Sequence, residues 1–159
     1  MKISYVTNEF LDSLKKQVKT LKIFAIILSV LFATSMTLSI VFANYQNRIL
    51  MSVIGSIVSS IILILDLAII LKLVYINNFS VRYSYILEKE GKKFSGKLAA
   101  ISKTITLNNN DQVKELSLII NDSIRKFYIF DLGLTDLVLN KKYKFVVVED
   151  YIKEISYEA

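Results

Sequence analysis

The sequence predicts an α+β membrane protein: a two-helix transmembrane hairpin followed by a C-terminal small β-barrel. Three observations carry this reading. Two long apolar runs fill Ile23 to Ile76, separated only by Asn44-Tyr45-Gln46-Asn47-Arg48-Ile49. Hydrophobic residues make up 53% of the 159 positions, and the excess is concentrated in that stretch rather than spread evenly as in a soluble domain. Downstream of it, short segments of alternating apolar and polar residues are divided by turn-forming clusters, the pattern of a small all-β domain.

What the chain lacks narrows its chemistry. It has no Cys and no His, so a thiol nucleophile, a thiolate or imidazole metal site and a Ser-His triad are excluded by residue type. The four glycines, at positions 55, 91, 96 and 133, have none of the spacings of a phosphate-binding loop. The sequence therefore predicts a protein that is not an enzyme and needs no cofactor or metal.

The net charge of +6 is uneven. Met1 to Lys22 carries +3, Arg48 adds +1, Asp66 and Lys72 cancel, and Asn77 to Ala159 carries only +2. Basicity beside apolar runs sets membrane orientation or meets anionic lipid. A nucleic-acid polymer as partner would call for a basic stripe in the tail, and none is legible.

The first segment, residues 1–22, opens with alternating Ile3 and Tyr5, a short strand or a loose end. Thr7 or Asn8 then caps an amphipathic helix with Glu9 and Asp12 in its first turn. Phe10, Leu11, Leu14, Val18 and Leu21 recur at helical spacing, while Lys15, Lys16, Lys19 and Lys22 lie off that stripe. Such a helix lies in the headgroup plane as a membrane-surface basic element, or packs on the tail domain. The hairpin, residues 23–76, has spans at 23–43 and 50–74. The first is uncharged for 21 residues, roughly 31 Å of helix against a hydrocarbon core of about 30 Å. It is too long for the apolar region of a cleaved signal peptide. Lysines before the first span and basic residues after the second put both termini in the cytoplasm of a cell (inner) membrane protein.

The barrel domain, residues 79–159, begins ambiguously. Phe79 to Leu87 reads as a strand, or as a helical continuation of the second span ended by Gly91. Phe94 to Leu107 is extended, with a bulge near Gly96 to Ala100. After a turn at Asn108 to Asp111, Val113–Asn121 and Ile124–Phe130 form strands around a tight turn at Asn121-Asp122-Ser123. Leu134 to Leu139 holds one short helical turn, and strands follow at Tyr143–Glu149 and Tyr151–Tyr157.

From Phe94 this order is long strand, strand, strand, short helix, strand, strand: that of an OB-like barrel, with an SH3-like barrel as the near competitor. On Gly96-Lys97-Leu98, opening the long strand, and Asn140-Lys141-Lys142-Tyr143-Lys144-Phe145, opening the fourth, the chain resembles bacterial membrane proteins that join a helical hairpin to a C-terminal small barrel. The NfeD-like proteins are one example. A second architectural resemblance is to anti-phage effectors in which two N-terminal spans precede a cytosolic barrel that binds a cyclic dinucleotide.

Three groups of residues are candidates for a site. Asp66, an intramembrane carboxylate, faces a partner helix or aqueous path, or else snorkels with help from Lys72 and fixes helix depth. Ser52, Gly55, Ser56, Ser59 and Ser60 form a small-residue helix-packing face, serving the hairpin itself or self-association. The aromatics Tyr83, Tyr85, Phe94, Phe127, Tyr128, Phe130, Tyr143, Phe145 and Tyr151 fill a barrel core, or stack on nucleobases. The expected function is a non-enzymatic membrane interaction or scaffold protein, with the lipid bilayer and a homo-oligomer or larger membrane complex as partners. The alternative is a ligand-gated effector whose barrel binds a small anionic ligand such as a cyclic dinucleotide while the spans disrupt the membrane.

Overall fold

The computed structural model describes residues 2–42, 48–107, 111–130 and 137–157. The chain divides into two compact units, Ser13–Asn78 on the one hand and Met1–Asp12 with Phe79–Ala159 on the other.

The greater part of two helices supplies the first unit: α1, Asn8–Phe42, and α2, Arg48–Glu88, whose residues before Ser13 and after Asn78 belong to the second unit. Each presents one narrow inward stripe at alternating three- and four-residue steps. On α1 it is Leu14, Val18, Leu21, Ala25, Leu28, Phe32, Ser35 and Ser39. On α2 it is Ser52, Gly55, Ser59, Ile62, Asp66, Ile69, Leu73 and Ile76. A repeat averaging 3.5 residues is the signature of two helices coiling left-handedly about a shared seam. Ser29 meets Asp66, Ser35 meets Ser59 and Ser39 meets Gly55, so the helices run antiparallel. Within this unit most side chains off the stripe face outward, including Ile26, Val30, Ile40, Ile57, Ile64 and Leu71. Both helices are long and apolar enough to cross a membrane. The polar break between them falls largely on residues 43–47, outside the described residues.

The second unit is a closed five-stranded barrel with one added strand. Strands β2 (Lys92–Thr106), β3 (Gln112–Ile120) and β4 (Ser123–Phe130) follow as antiparallel neighbours. Strands β5 (Lys142–Val148) and β6 (Tyr151–Tyr157) form a hairpin. Closure comes from β5 pairing with β2 and from β6 meeting β4 in parallel at Tyr128 and Tyr151. Strand β1, Lys2–Ser4, adds antiparallel to β6, with Ile3 opposite Ile155. The chain's first residues thus belong to the barrel sheet, a pairing three residues of alternation cannot announce.

Local chemistry explains the strand geometry. Strand β2 pairs with β5 through its first half and β3 through its second, with register shifts between Leu98 and Ala100 and between Ile101 and Thr104. The changeover needs Gly96, where a Cβ would stand 2.9 Å from the Ile119 carbonyl oxygen. The β3–β4 turn puts Asn121 and Asp122 at φ 49° and 61°, the left-handed pair of a two-residue hairpin that Asn and Asp tolerate. Leu98, Leu116, Leu118, Phe145, Ile152 and Ile155 fill the interior, each nearly inaccessible.

Of the two readings of Phe79 to Leu87, strand or helical continuation, the structure takes the helical one: α2 continues to Glu88. Alternation and helical periodicity share the positions i and i+4, here Phe79, Tyr83 and Leu87, and extending a helix costs less than nucleating a new element. No Pro or Gly interrupts the chain between Gly55 and Gly91. Lys153 of β6 closes the helix end by donating to the Leu87 and Lys89 carbonyls. The expected helical turn at Leu134 to Leu139 falls largely on residues 131–136, outside the described residues; Leu139 and Asn140 form a turn.

Candidate functional sites

The hairpin seam changes character along its length. Near the interhelical break it is small and polar; farther down, Leu14, Val18 and Leu21 on α1 and Ile69, Leu73 and Ile76 on α2 make it aliphatic. Asp66 sits where the two halves meet. The residue is 8% exposed, and its Oδ2 accepts a 2.9 Å hydrogen bond from Ser29 Oγ. Oδ1 has no partner among the described residues. Lys72 forms no ion pair with Asp66, because six residues of helix turn the two side chains well apart.

The small-residue face divides in two. Gly55 and Ser59 lie in the seam: Ser59 and Ser35 share a 2.8 Å hydrogen bond, and a Cβ on Gly55 would meet Ser39 Oγ at 2.0 Å. Ser56 and Ser60 face outward and Ser52 is half-buried. The hydroxyls of Ser52, Ser56 and Ser60 donate to the carbonyls of Ile49, Ser52 and Ser56 in their own helix. Lys15, Lys16, Lys19 and Lys22 are exposed, while Leu11, Leu14 and Val18, the apolar stripe of the same helix, are covered by protein.

In the barrel unit the aromatics are mainly structural. Tyr83, Phe127, Phe130, Tyr143, Phe145 and Tyr151 are buried, Phe94 and Tyr128 half-buried, and Tyr85 exposed. Phe130 stacks on Tyr151 at 5.0 Å and meets Tyr83 at 5.4 Å, and Tyr83 meets Phe10 at 5.2 Å. The Tyr83 hydroxyl accepts from the Thr7 amide at 2.8 Å and donates to the Tyr5 carbonyl at 3.4 Å. Burial pushes this phenol's pKa above 10.0, with the Thr7 bond opposing the shift. Beside the cluster, Arg82 reaches the buried Asp111 at 2.6 Å, and Tyr151 OH donates to the same carboxylate oxygen at 3.1 Å.

A basic face on the barrel exterior is only partly legible in the sequence. Register places Lys97 opposite Lys142, Ser95 opposite Lys144, and Lys93 opposite Val146 across the β2–β5 pair. On the next strand Ser156 stands opposite Lys144 and Glu154 opposite Val146. Like charges directly opposite one another destabilise a sheet. Lys93, Ser95, Lys144, Val146, Glu154 and Ser156 line a concavity of about 580 Å³. A smaller one of about 400 Å³, holding Lys97, Lys142 and Asp122, adjoins it at Ser95. The signal was there in part, since period two puts Lys93, Lys97, Lys142 and Lys144 outward, but only strand pairing brings the two pairs together.

No family model matches the sequence, and no curated protein matches it.

Proposed function

We propose that the protein is a two-pass membrane protein, both termini cytoplasmic, whose hairpin carries a cytosolic OB-like barrel as a non-enzymatic interaction module. The observation that carries this reading is the outward face of the hairpin. Ile23, Phe24, Ile26, Ile27, Val30 and Leu31 on α1 and Ile57, Ile61, Ile64 and Leu71 on α2 are all about half exposed or more. Water-facing proteins do not keep a continuous apolar surface of this extent; lipid would cover it. The positive-inside distribution supports the orientation. The strand order, with the third barrel strand, β4, parallel to the fifth, β6, supports the OB-like over the SH3-like assignment. The resemblance to hairpin-and-barrel proteins such as the NfeD-like group is one of architecture.

Alkaline carbonate extraction tests insertion, and a single Cys in this Cys-free chain tests topology. With an impermeant maleimide on intact cells, Asn47→Cys should label and Ser156→Cys should not until the cells are opened. Release by carbonate, or the reverse labelling, would overturn the reading. Self-association is part of the proposal, supported by the outward Ser56 and Ser60.

The basic concavities of β2, β5 and β6 favour a second reading, in which the barrel senses a small anionic ligand such as a cyclic dinucleotide and the spans assemble to disrupt the membrane. Depolarisation on induced expression only when a cyclic dinucleotide is supplied would favour it; polarised membranes with and without ligand would sink it.

A further inference from the structure

Between α1 and α2, within the hairpin unit, Lys16, Gln17, Thr20, Leu21 and Lys72 line a crevice of about 300 Å³. The two lysines come from different helices. Neither lysine ion-pairs with a carboxylate among the described residues. Gln17 adds amide donors, while the Thr20 hydroxyl spends its hydrogen on the Lys16 carbonyl at 3.0 Å. The crevice lies against the outward apolar surface: Ile23 and Phe24 follow it on α1, and Leu71, Val74 and Tyr75 flank Lys72 on α2.

Two lysines lining one crevice without a carboxylate partner favour an anion. The volume is at the lower end of small-molecule sites, about 300–1,000 Å³, and fits a headgroup better than a whole nucleotide. Basic pockets between membrane helices on the cytoplasmic side bind anionic headgroups. We propose that this crevice seats the phosphate of an anionic phospholipid between Lys16 and Lys72, with the acyl chains on the apolar faces beside it. The proposal rests on the membrane reading above. It gives Lys72 a role separate from Asp66, and it separates Lys16 from Lys15, Lys19 and Lys22, which do not line the crevice.

The test uses the full-length chain, first shown to resist carbonate extraction, then delipidated in a non-ionic detergent. It is titrated with dioctanoyl phosphatidylglycerol, dioctanoyl phosphatidylcholine and inorganic phosphate, and bound lipid is counted by native mass spectrometry. One phosphatidylglycerol should bind in preference to phosphatidylcholine. Lys16→Gln/Lys72→Gln should weaken it about 10-fold or more, since one lysine near an anionic surface is worth about 5-fold. Equal affinity for the two lipids would overturn the proposal, as would an equal loss in Lys15→Gln/Lys19→Gln, which would mark diffuse attraction. Inorganic phosphate binding as tightly as the lipid would assign the crevice to a free anion and overturn it too. A chain released by carbonate fails the membrane reading itself, a different result from an inserted chain without lipid preference.

Discussion

Arg82 Nη1 stands 2.6 Å from Asp111 Oδ2, joining the last turns of α2 to the residue that leads into β3. The pair is asymmetric: the Asp111 side chain is 1% exposed and the Arg82 side chain 28%. Removing Arg82 strips a buried carboxylate of this countercharge, whereas removing Asp111 leaves a cation that can turn towards water. Arg82→Gln should therefore destabilise the barrel unit by about 3 kcal/mol, and Asp111→Asn by less. Denaturant titration of both variants in detergent checks the order; equal losses would refute the asymmetry.

Tyr83→Phe removes a hydroxyl that both accepts from Thr7 and donates to Tyr5, so a loss of about 1–2 kcal/mol is expected. It also carries a pH signature. Burial raises the folded pKa above the ordinary 10.0, so the unfolded chain loses its proton first as pH rises. The folded state then holds more protons, and stability falls with rising pH from about 10 up to the folded pKa. Below pH 10 the contribution is fully present. The wild-type stability curve should drop more steeply than that of Tyr83→Phe above pH 10; parallel curves would count against it.

Asp66→Leu should improve membrane insertion of the second helix by about 2.5–3.5 kcal/mol, the usual cost of an acidic residue near a span centre. Insertion measured for α2 in a glycosylation reporter checks this. An unchanged fraction inserted would mean that the carboxylate already reaches water.

Gly55→Leu should wedge the hairpin open, because its first side-chain carbon already overlaps Ser39. The readout is disulfide formation in Ser35→Cys/Ser59→Cys, whose parent hydroxyls are 2.8 Å apart. The pair should close readily on oxidation and lose most of its yield when Gly55→Leu is added. A parallel pair of single variants separates the two small faces: Ser56→Cys should cross-link between copies and Ser59→Cys should not.

Much of the architecture follows from the sequence because its signals are local. Spans, charge asymmetry and the five barrel strands from Phe94 onward each depend on neighbours a few positions away. Where two periods coincide, as at Phe79, Tyr83 and Leu87, local pattern cannot choose, and the absence of a helix breaker before Gly91 decides for helix. The candidate sites were less legible. Asp66 stands out as a lone acid in an apolar run, yet its partner Ser29 is 37 residues away in the chain.

The sequence by itself determined that two apolar helices precede a small β domain, and that no thiol or imidazole chemistry is available. Tertiary structure alone decided that Gly55 and Ser59 face inward while Ser56 and Ser60 face out. It alone gathered Lys93, Lys97, Lys142 and Lys144 on one barrel face and Lys16 with Lys72 in one crevice. The reason is physical: periodicity fixes which side of its own element a residue takes, but which element lies opposite, and in what register, is set by long-range packing.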